Sequence, residues 1–291
     1  MKIGFVIITF NPENGLLFEV LKSIENQSDL VVVIDNGSHS SSDLDWLLDL
    51  NFVHLIKLDQ NLGIASASNF GARYLKELEF DRVVFCDQDT IFPVDYREKV
   101  MNAVSIVSRG IIVPQFYDIN KNATAVFQAP DAPLKNFEVG DELTHVLHGI
   151  ASGLCVDLIS FFECGGFDDN LFIDWVDFEF CWRAAHYGVP TYCLGSLIVH
   201  HRLGDANMVF MGRSVASRSP MRLFFMVRNE IYLGIFGLYT PLALRPLMVF
   251  RALRRALVMP FLFGADRGEY LRMAAKGLVH GLCRKLGPLV R

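Results

Sequence analysis

The sequence predicts an α/β protein, a central sheet flanked by helices and followed by a helical C-terminal extension. Three observations predict it. Short apolar, β-branched runs alternate with amphipathic helical stretches through the first 116 residues. Polar and acidic residues gather where several of those runs stop. From Ser219 onward the pattern becomes helical and rich in Leu, Phe, Met and Arg. At 291 residues the chain is long enough for one large α/β domain with an appendage.

Residues 2–10 read as a first strand, and 15–27 as a helix with Leu17, Val20, Leu21 and Ile24 on one face. Residues 31–34 form a second strand that ends in the turn sequence Asp35-Asn36-Gly37-Ser38. A short helix over 42–50, a strand over 53–58 and a helix over 65–78 follow. Residues 82–86 contain Val83-Val84-Phe85-Cys86, an uninterrupted apolar run typical of a strand covered on both faces. Residues 95–107 are helical and 110–116 are again a strand. This rhythm implies a parallel sheet with helices on both faces. Residues 118–148, with Pro130 and Pro133, read as a loop or short hairpin. Residues 174–187 read as an acidic helix, and 190–201 as one or two short strands. There are no internal repeats and no low-complexity segment.

The sheet is Rossmann-like but lacks a Gly-x-Gly-x-x-Gly turn. Its first strand–helix junction reads Thr9-Phe10-Asn11-Pro12, with a single glycine at Gly15, so a dinucleotide site is not expected. Asp87-Gln88-Asp89 instead places two carboxylates one residue apart at the end of the fourth strand. Ligands of open α/β sheets bind at the carboxyl ends of strands. Two carboxylates in one pocket repel unless a cation or hydrogen-bond donors lie between them. Oxygen ligands suit Mg²⁺ or Mn²⁺, which commonly rest on one or two carboxylates and the phosphates of a substrate. Thr9-Phe10-Asn11 and Asp35-Asn36 end neighbouring strands. Between them, Asn61-Leu62-Gly63-Ile64-Ala65-Ser66-Ala67-Ser68-Asn69-Phe70-Gly71-Ala72 supplies small residues around a helix start, where free N–H groups favour phosphate. Together these segments outline a nucleotide pocket. A second acidic group, Asp174, Asp177 and Glu179, falls on the 174–187 helix, where 174 and 177 share a face and 179 points elsewhere.

In this order the chain resembles the family-2 inverting glycosyltransferases of the GT-A fold. Within them it is similar to the bacterial rhamnosyltransferases of cell-surface polysaccharide synthesis. The resemblance also rests on Ser152-Gly153, Gly165-Gly166-Phe167-Asp168 and the run from Leu171 to Glu179. His201-Arg202-Leu203-Gly204-Asp205 and Met226-Val227-Arg228-Asn229 complete it, covering residues 2 to about 235. It implies a GT-A catalytic domain over 1–218, a Rossmann-like mixed sheet with flanking helices. The donor half would span about 1–117 and the acceptor half about 118–218, with the helical extension over 219–291.

The resemblance also implies roles. Asp35 would bind the donor's base over a floor made by Thr9, Phe10 and Asn11, and Asp87 would contact the ribose. Asn36, Asn61, Gly63, Asn69 and Gln88 would line the same donor-nucleotide pocket. Asp89 would hold Mg²⁺ or Mn²⁺ against the diphosphate. His201 would reach the metal or diphosphate, an assignment over its neighbour His200 that rests on the spacing to Gly204. Arg228 would lie near the leaving diphosphate. An inverting transfer needs one base on the side of the sugar opposite the leaving group. The resemblance places the family's base at Asp177, aligned through its spacing to Arg183, with Asp174 and Glu179 as competitor or support. His145 and His148 would line the acceptor cleft or face solvent.

The expected donor is dTDP-β-L-rhamnose, giving an α-rhamnoside. The expected acceptor is a polyprenyl-diphosphate-linked saccharide of lipopolysaccharide O-antigen type. Another donor such as UDP-galactofuranose is the alternative within the class, and a catalytically silent nucleotide-sugar or glycan-binding subunit is the alternative outside it. Intact Asp89 and Asp177 argue against the silent subunit.

Charge and cysteine usage bear on location. Residues 241–291 carry 10 Lys/Arg against 2 Asp/Glu, whereas the preceding 240 carry 17 against 30. A basic, apolar tail on an acidic body points to an anionic surface as partner, and no nucleic-acid partner is expected. Residues 231–244 are uncharged but short of the ~20 residues of a membrane span, and Pro241 and Pro246 interrupt the pattern. Arg251 and Arg255 are four apart and share a helix face, with Arg254 beside them. An apolar helix with a basic stripe fits an anionic bilayer surface, and a helical cap with its arginines in water is the other reading. The six cysteines, at 86, 155, 164, 181, 193 and 283, form no Cys-x-x-Cys pair and read as reduced core residues. The start of the chain reads as a strand rather than a signal peptide. The expectation is a cytoplasmic protein, peripheral on the inner face of the cell membrane.

Overall fold

The computed structural model describes the backbone of residues 1–107, 109–118, 123–201, 207–210, 213–216, 219–262 and 266–289. Side chains are described for the same residues except 118, 123, 201, 207–210 and 213–216. The chain begins with β1 (Ile3–Thr9), α1 (Asn14–Ile24), β2 (Leu30–Asp35), a 3₁₀ helix (Ser41–Asp49), β3 (Val53–Lys57) and α2 (Ile64–Glu77). Then come β4 (Arg82–Asp87), β5 (Thr90–Ile91), α3 (Tyr96–Ile106) and β6 (Ile111–Asp118). The middle holds β7 (Ala123–Thr124), β8 (Phe127–Ala129), β9 (Ala132–Phe137), β10 (Leu143–Val146), β11 (Leu154–Asp157) and α4 (Leu158–Glu163). A 3₁₀ turn (Asp169–Leu171), α5 (Val176–His186) and β12 (Thr191–His201) follow. After β13 (Asn207–Phe210) and β14 (Arg213–Ala216), three helices close the chain: α6 (Pro220–Phe236), α7 (Arg245–Leu262) and α8 (Arg267–Leu282).

The main sheet runs in the order β10-β12-β6-β11-β4-β1-β2-β3, with β5 and β7 added on β12 and β6. β4, β1, β2 and β3 are parallel neighbours. Its strands are apolar without interruption because both faces are covered. Val6, Val32, Ile34, Val83 and Phe85 point into one core, while Phe5, Ile7, Val31, Val33 and Val84 point into the other. Helix α2 lies close on β1 because Gly71 has no side chain: a Cβ there would stand 2.5 Å from Val6 Cγ1.

Several expectations change. The sheet is mixed, as the family resemblance implies and unlike the parallel sheet that the strand–helix alternation alone suggests, since β11 runs antiparallel to both β4 and β6. Periodicity identifies a strand but leaves its direction open. Within residues 123–146 the short hairpin is β8 and β9, and β10, beyond it, joins the main sheet on β12. Residues 191–201 form one strand with a register shift between Leu194 and Ile198. The acidic helix starts at Val176, so Asp174 and Asp177 do not share a helix face. Asp174 and Trp175 have φ of 63° and 71°, which breaks the helix before it begins.

Helices α6, α7 and α8 share a small core of Leu223, Val227, Ile231, Ala252, Ala256, Tyr270 and Ala274. Among the described residues, no helix is long and apolar enough to cross a membrane. The uncharged run 231–244 is divided between the end of α6 and the turn into α7. The basic stripe is also corrected. Arg255 turns inward and pairs with buried Glu230 of α6 at 2.5 Å, and Arg251 is half-buried. The outward face of α7 is apolar instead: Phe250, Leu257 and Phe261 are 61%, 69% and 64% exposed, with Leu253 and Arg254 beside them. All six cysteines are free, five buried and Cys283 exposed.

Candidate active site

Register brings the polar strand ends to one level. Thr9 of β1 lies opposite Asp35 of β2, and Ile8 lies opposite Asp87 of β4. Asp35 is buried, and its two oxygens accept the hydroxyls of Ser38 and Ser41, each at 2.5 Å. Ser38 Oγ in turn accepts the backbone N–H of Asn11 at 2.7 Å, and Asn11 takes a φ of 47° to meet it. Asn36 Oδ1 accepts the N–H of Leu62, and Asn61 Oδ1 accepts the N–H of Gly63 and the amide of Asn36. Residues 9–11, 35–41 and 61–63 are thereby tied into one rim at the entrance of α2. Gln88 Oε1 accepts the N–H of Phe10 at 2.9 Å, joining that rim to the acidic turn. The Phe10 ring remains exposed beside His39.

The acids converge through the turn at 151–153. Ser152, buried, donates its hydroxyl to Asp87 Oδ2, and the N–H of Ala151 donates to Asp177 Oδ2 at 3.1 Å. The turn itself is fixed. Gly153 (φ 84°) donates its N–H to Phe85 O and accepts the Tyr96 hydroxyl, and a Cβ on it would stand 2.7 Å from Pro114. Asp177 sits in the first turn of α5, where its Oδ1 also accepts the N–H of Phe178 at 2.9 Å. Burial pushes its carboxyl up to about 7. The two N–H donors oppose that rise, and the charge of Asp87 adds to it.

Asp89, half-buried, occupies the turn between β4 and β5. Burial pushes the Cys86 thiol well up, and the charges of Asp87 and Asp89 push it further, so both carboxylates act on the same strand end. β5 pairs with β12 so that His201 lies opposite Thr90, the residue after Asp89. The His201 side chain and residues 202–206 lie outside the described residues, so the His201-to-Asp205 motif does too. The His200 ring meets Tyr117 edge-on. Among the described residues no three His, Cys, Asp or Glu side chains gather into a ready-made metal cluster. The donor set suits a hard divalent cation all the same. Carboxylate oxygens at a strand end would supply part of its shell, and substrate phosphates the rest.

Four candidates are directed elsewhere. The Asn69 amide clamps the main chain of Phe167 through two 2.8 Å hydrogen bonds and donates to Asp169, so it braces the 165–170 loop. Glu179 is buried in a two-point pair with Arg183, whose guanidinium also bonds the carbonyls of Cys164 and Gly166. Asp174 pairs with Arg222 at 3.2 Å, outside the helix that carries Asp177. Arg228 is fully buried between α6 and the loop before α5, and its guanidinium donates to the carbonyls of Asn170, Leu171 and Gly287. Its donors are thus spent on the main chain rather than offered to a diphosphate. Asn229 completes the clamp on Leu171, Ile173 and Asp174.

His148 and His145 do not act as a pair. His148 Nδ1 accepts the Trp182 indole N–H, its ring stacks on Phe178 at 3.8 Å, and burial pushes its pKa down to about 3. His145 lies beside Tyr192. Sequence reasoning assigned no role to Ser152, although Ser152-Gly153 marked the turn. It also passed over Arg222, which no sequence signal singles out.

Comparisons with known proteins follow the same lines. A family model for glycosyl transferase family 2 matches residues 5–163. The dTDP-rhamnosyl transferase RfbF of Shigella flexneri is 32% identical over 237 residues, covering 78% of each chain. GalNAc-T7, solved with UDP, GalNAc and Mn²⁺, superposes with a TM-score of 0.62 at 14% identity, over 95% of this chain and 55% of that one. TarS 1–349 of S. aureus, solved with UDP-GlcNAc, gives 0.60 at 13% identity, over 97% of this chain and 81% of that one. At such identities the likeness is one of fold, the GT-A fold.

Proposed function

Because the chain belongs to glycosyl transferase family 2, we propose that it transfers L-rhamnose with inversion from dTDP-β-L-rhamnose to a lipid-linked saccharide. The enzyme class follows from the family, and the donor from the 32% identical dTDP-rhamnosyl transferase. The observation that carries the chemistry is the 151–153 turn, which bonds Asp87 on one side and Asp177 on the other. It ties a strand-end acid of the donor site to a recessed base through two adjacent residues, Ser152 and Ala151.

The donor nucleotide rests on the rim of residues 9–11, 35–36 and 61–63, with Asp87 and Gln88 toward its ribose. Asp89, with His201, would hold Mg²⁺ or Mn²⁺ at the diphosphate. When bound, that cation neutralises charge on the leaving group. Asp177 takes the proton from the acceptor hydroxyl. The hydroxyl oxygen then bonds the anomeric carbon, the carbon–phosphate oxygen bond breaks, and dTDP leaves from the opposite face. A base with a pKa near 7 is well matched to this work at neutral pH, since about half of it is ionised while it stays strongly basic.

The apolar outer face of α7 adds a location. A helix with a buried inner side and an exposed Phe250-Leu253-Leu257-Phe261 stripe suits the headgroup boundary of a bilayer, and the net basic charge of 241–291 favours an anionic one. In this reading the protein is peripheral on the inner face of the membrane, where lipid-linked acceptors are found.

The test is a panel of nucleotide sugars with Mg²⁺ or Mn²⁺, followed by mass spectrometry of a lipid-linked product. A deoxyhexose mass increment from dTDP-rhamnose alone supports the reading. Transfer only from a uridine donor would replace the sugar, and neither transfer nor donor hydrolysis with any donor would remove the enzymatic role.

A further inference from the structure

A cavity of about 210 Å³ lies between the β8–β9 hairpin, the start of α5 and the inner side of α7. Trp175 and Phe178, which flank Asp177 in sequence, form its aromatic wall, their rings 5.5 Å apart and nearly perpendicular. Gln128 and Asn136 contribute neutral amides, and His148 contributes a ring held neutral by burial. Aromatic faces beside amides suit a sugar, which is apolar across its ring face and hydroxylated around its edge. The cavity is smaller than the ~300 Å³ at which pockets for drug-sized ligands begin, so it takes a single ring.

The remaining polar wall is Arg251. Among the described residues its guanidinium has no hydrogen bond or ion pair. Glu230 acts on it through charge alone; Arg255 bonds one oxygen of that carboxylate and, among the described residues, the other has no hydrogen bond. Arg254 and Arg255 repel it, and its own charge reaches His148 across the cavity. A half-buried guanidinium with two like charges near it, which its one counter-charge reaches without a hydrogen bond, has donors left for an anion.

We propose that this cavity is the acceptor subsite, and that the sugar it takes bears an anionic group, carboxylate or phosphate, bonded by Arg251. The proposal rests on the glycosyl-transfer reading and specifies its acceptor as an acidic sugar or a sugar directly attached to phosphate. Arg251 positions that sugar with one hydroxyl toward Asp177, while Trp175 and Phe178 hold its ring.

The test uses the full chain and three soluble acceptors: a neutral aryl hexoside, the matching uronide and the matching hexosyl phosphate. Wild type should show a lower KM for one or both anionic acceptors. Arg251→Gln should raise that KM by about tenfold to a hundredfold, the size of a charged hydrogen bond. It should raise the neutral acceptor's KM much less than the anionic one's, and Arg251→Lys should restore part of the preference. Preference for the phosphate alone assigns the anion to a lipid carrier, and preference for the uronide alone assigns it to an acidic sugar. Equal wild-type KM values for all three acceptors would overturn the proposal without any variant having to fold. So would equal shifts for all three in Arg251→Gln. Absence of transfer from every nucleotide sugar would overturn the parent reading as well, whereas transfer without anionic preference overturns this one alone.

Discussion

Asp177 is stabilised as an anion by backbone N–H groups, chiefly those of Phe178 and Ala151, in a recessed site, with Asp87 adding repulsion. Its raised value has two consequences. As the base it must be ionised, so kcat/KM should rise with pH and level off above about 7. Asp177→Asn should remove that limb and lower kcat by roughly 10²–10⁴ while donor affinity survives. The stability consequence has the opposite sense. A carboxylate near 3.9 when unfolded and about 7 when folded carries no burial penalty below pH 4 and the full penalty above pH 7. Asp177→Asn should therefore match wild type in Tm near pH 4 and exceed it near pH 8. A variant no more stable than wild type at pH 8 would mean the carboxylate is better solvated than its surroundings indicate. Asp89 makes a separate prediction. Asp89→Asn should abolish the gain in donor affinity that Mg²⁺ or Mn²⁺ confers, read by calorimetry with and without metal. Unchanged metal-dependent affinity would move the cation elsewhere.

At the scale of elements, α7 joins two tasks on opposite faces. Its inner side packs Met248, Ala252 and Ala256 and aims Arg255 at Glu230, whose burial holds its carboxyl up at about 7 even beside that arginine. Reversing Arg255 would set two carboxylates against each other in the core, so charge reversal is a poor probe of membrane binding. The outer stripe is the proper probe. Phe250→Ser, Leu257→Ser and Phe261→Ser together touch exposed side chains and should leave Tm nearly unchanged. Co-sedimentation with anionic vesicles should fall sharply, and transfer to a lipid-linked acceptor should slow more than transfer to a soluble one. Equal sedimentation of variant and wild type would leave the stripe to another partner. Salt should weaken the wild-type attachment only in part, because the apolar component is not screened.

Across the whole molecule, the boundary near residue 218 is not a seam between independent bodies. Arg228 and Asn229 of α6 hold the carbonyls of residues 170–174, and that loop delivers Trp175 and Asp177 to the cleft. Phe225 of α6 stacks on Phe172, 4.6 Å away, which in turn supports Gly63 at the entrance of α2. A chain ending at 218 should lose these supports and its cover over the 170–175 loop. It should then express poorly or unfold without a sharp transition, while the full chain unfolds in one step. A cooperative, donor-binding 1–218 fragment would show that the helices are an accessory.

Much of this was legible in the sequence because it is local. The apolar runs of β1, β2 and β4 specify buried strands, and polar residues at their ends specify where a ligand meets the sheet. The order of the motifs carried the family. Matters set by contacts between distant residues were not legible. The antiparallel direction of β11 depends on pairing with β4 and β6, and the end of the acidic helix depends on two left-handed residues that the loop's partners enforce. Arg228 and Arg251 look alike as sequence, two basic residues in apolar helices. Tertiary structure alone decided that one is spent on main-chain carbonyls and the other lines a cavity without a hydrogen bond of its own. A residue's type and spacing determine what it is able to bond; which of those bonds forms is decided by the neighbours that folding brings, and burial makes that choice energetically binding.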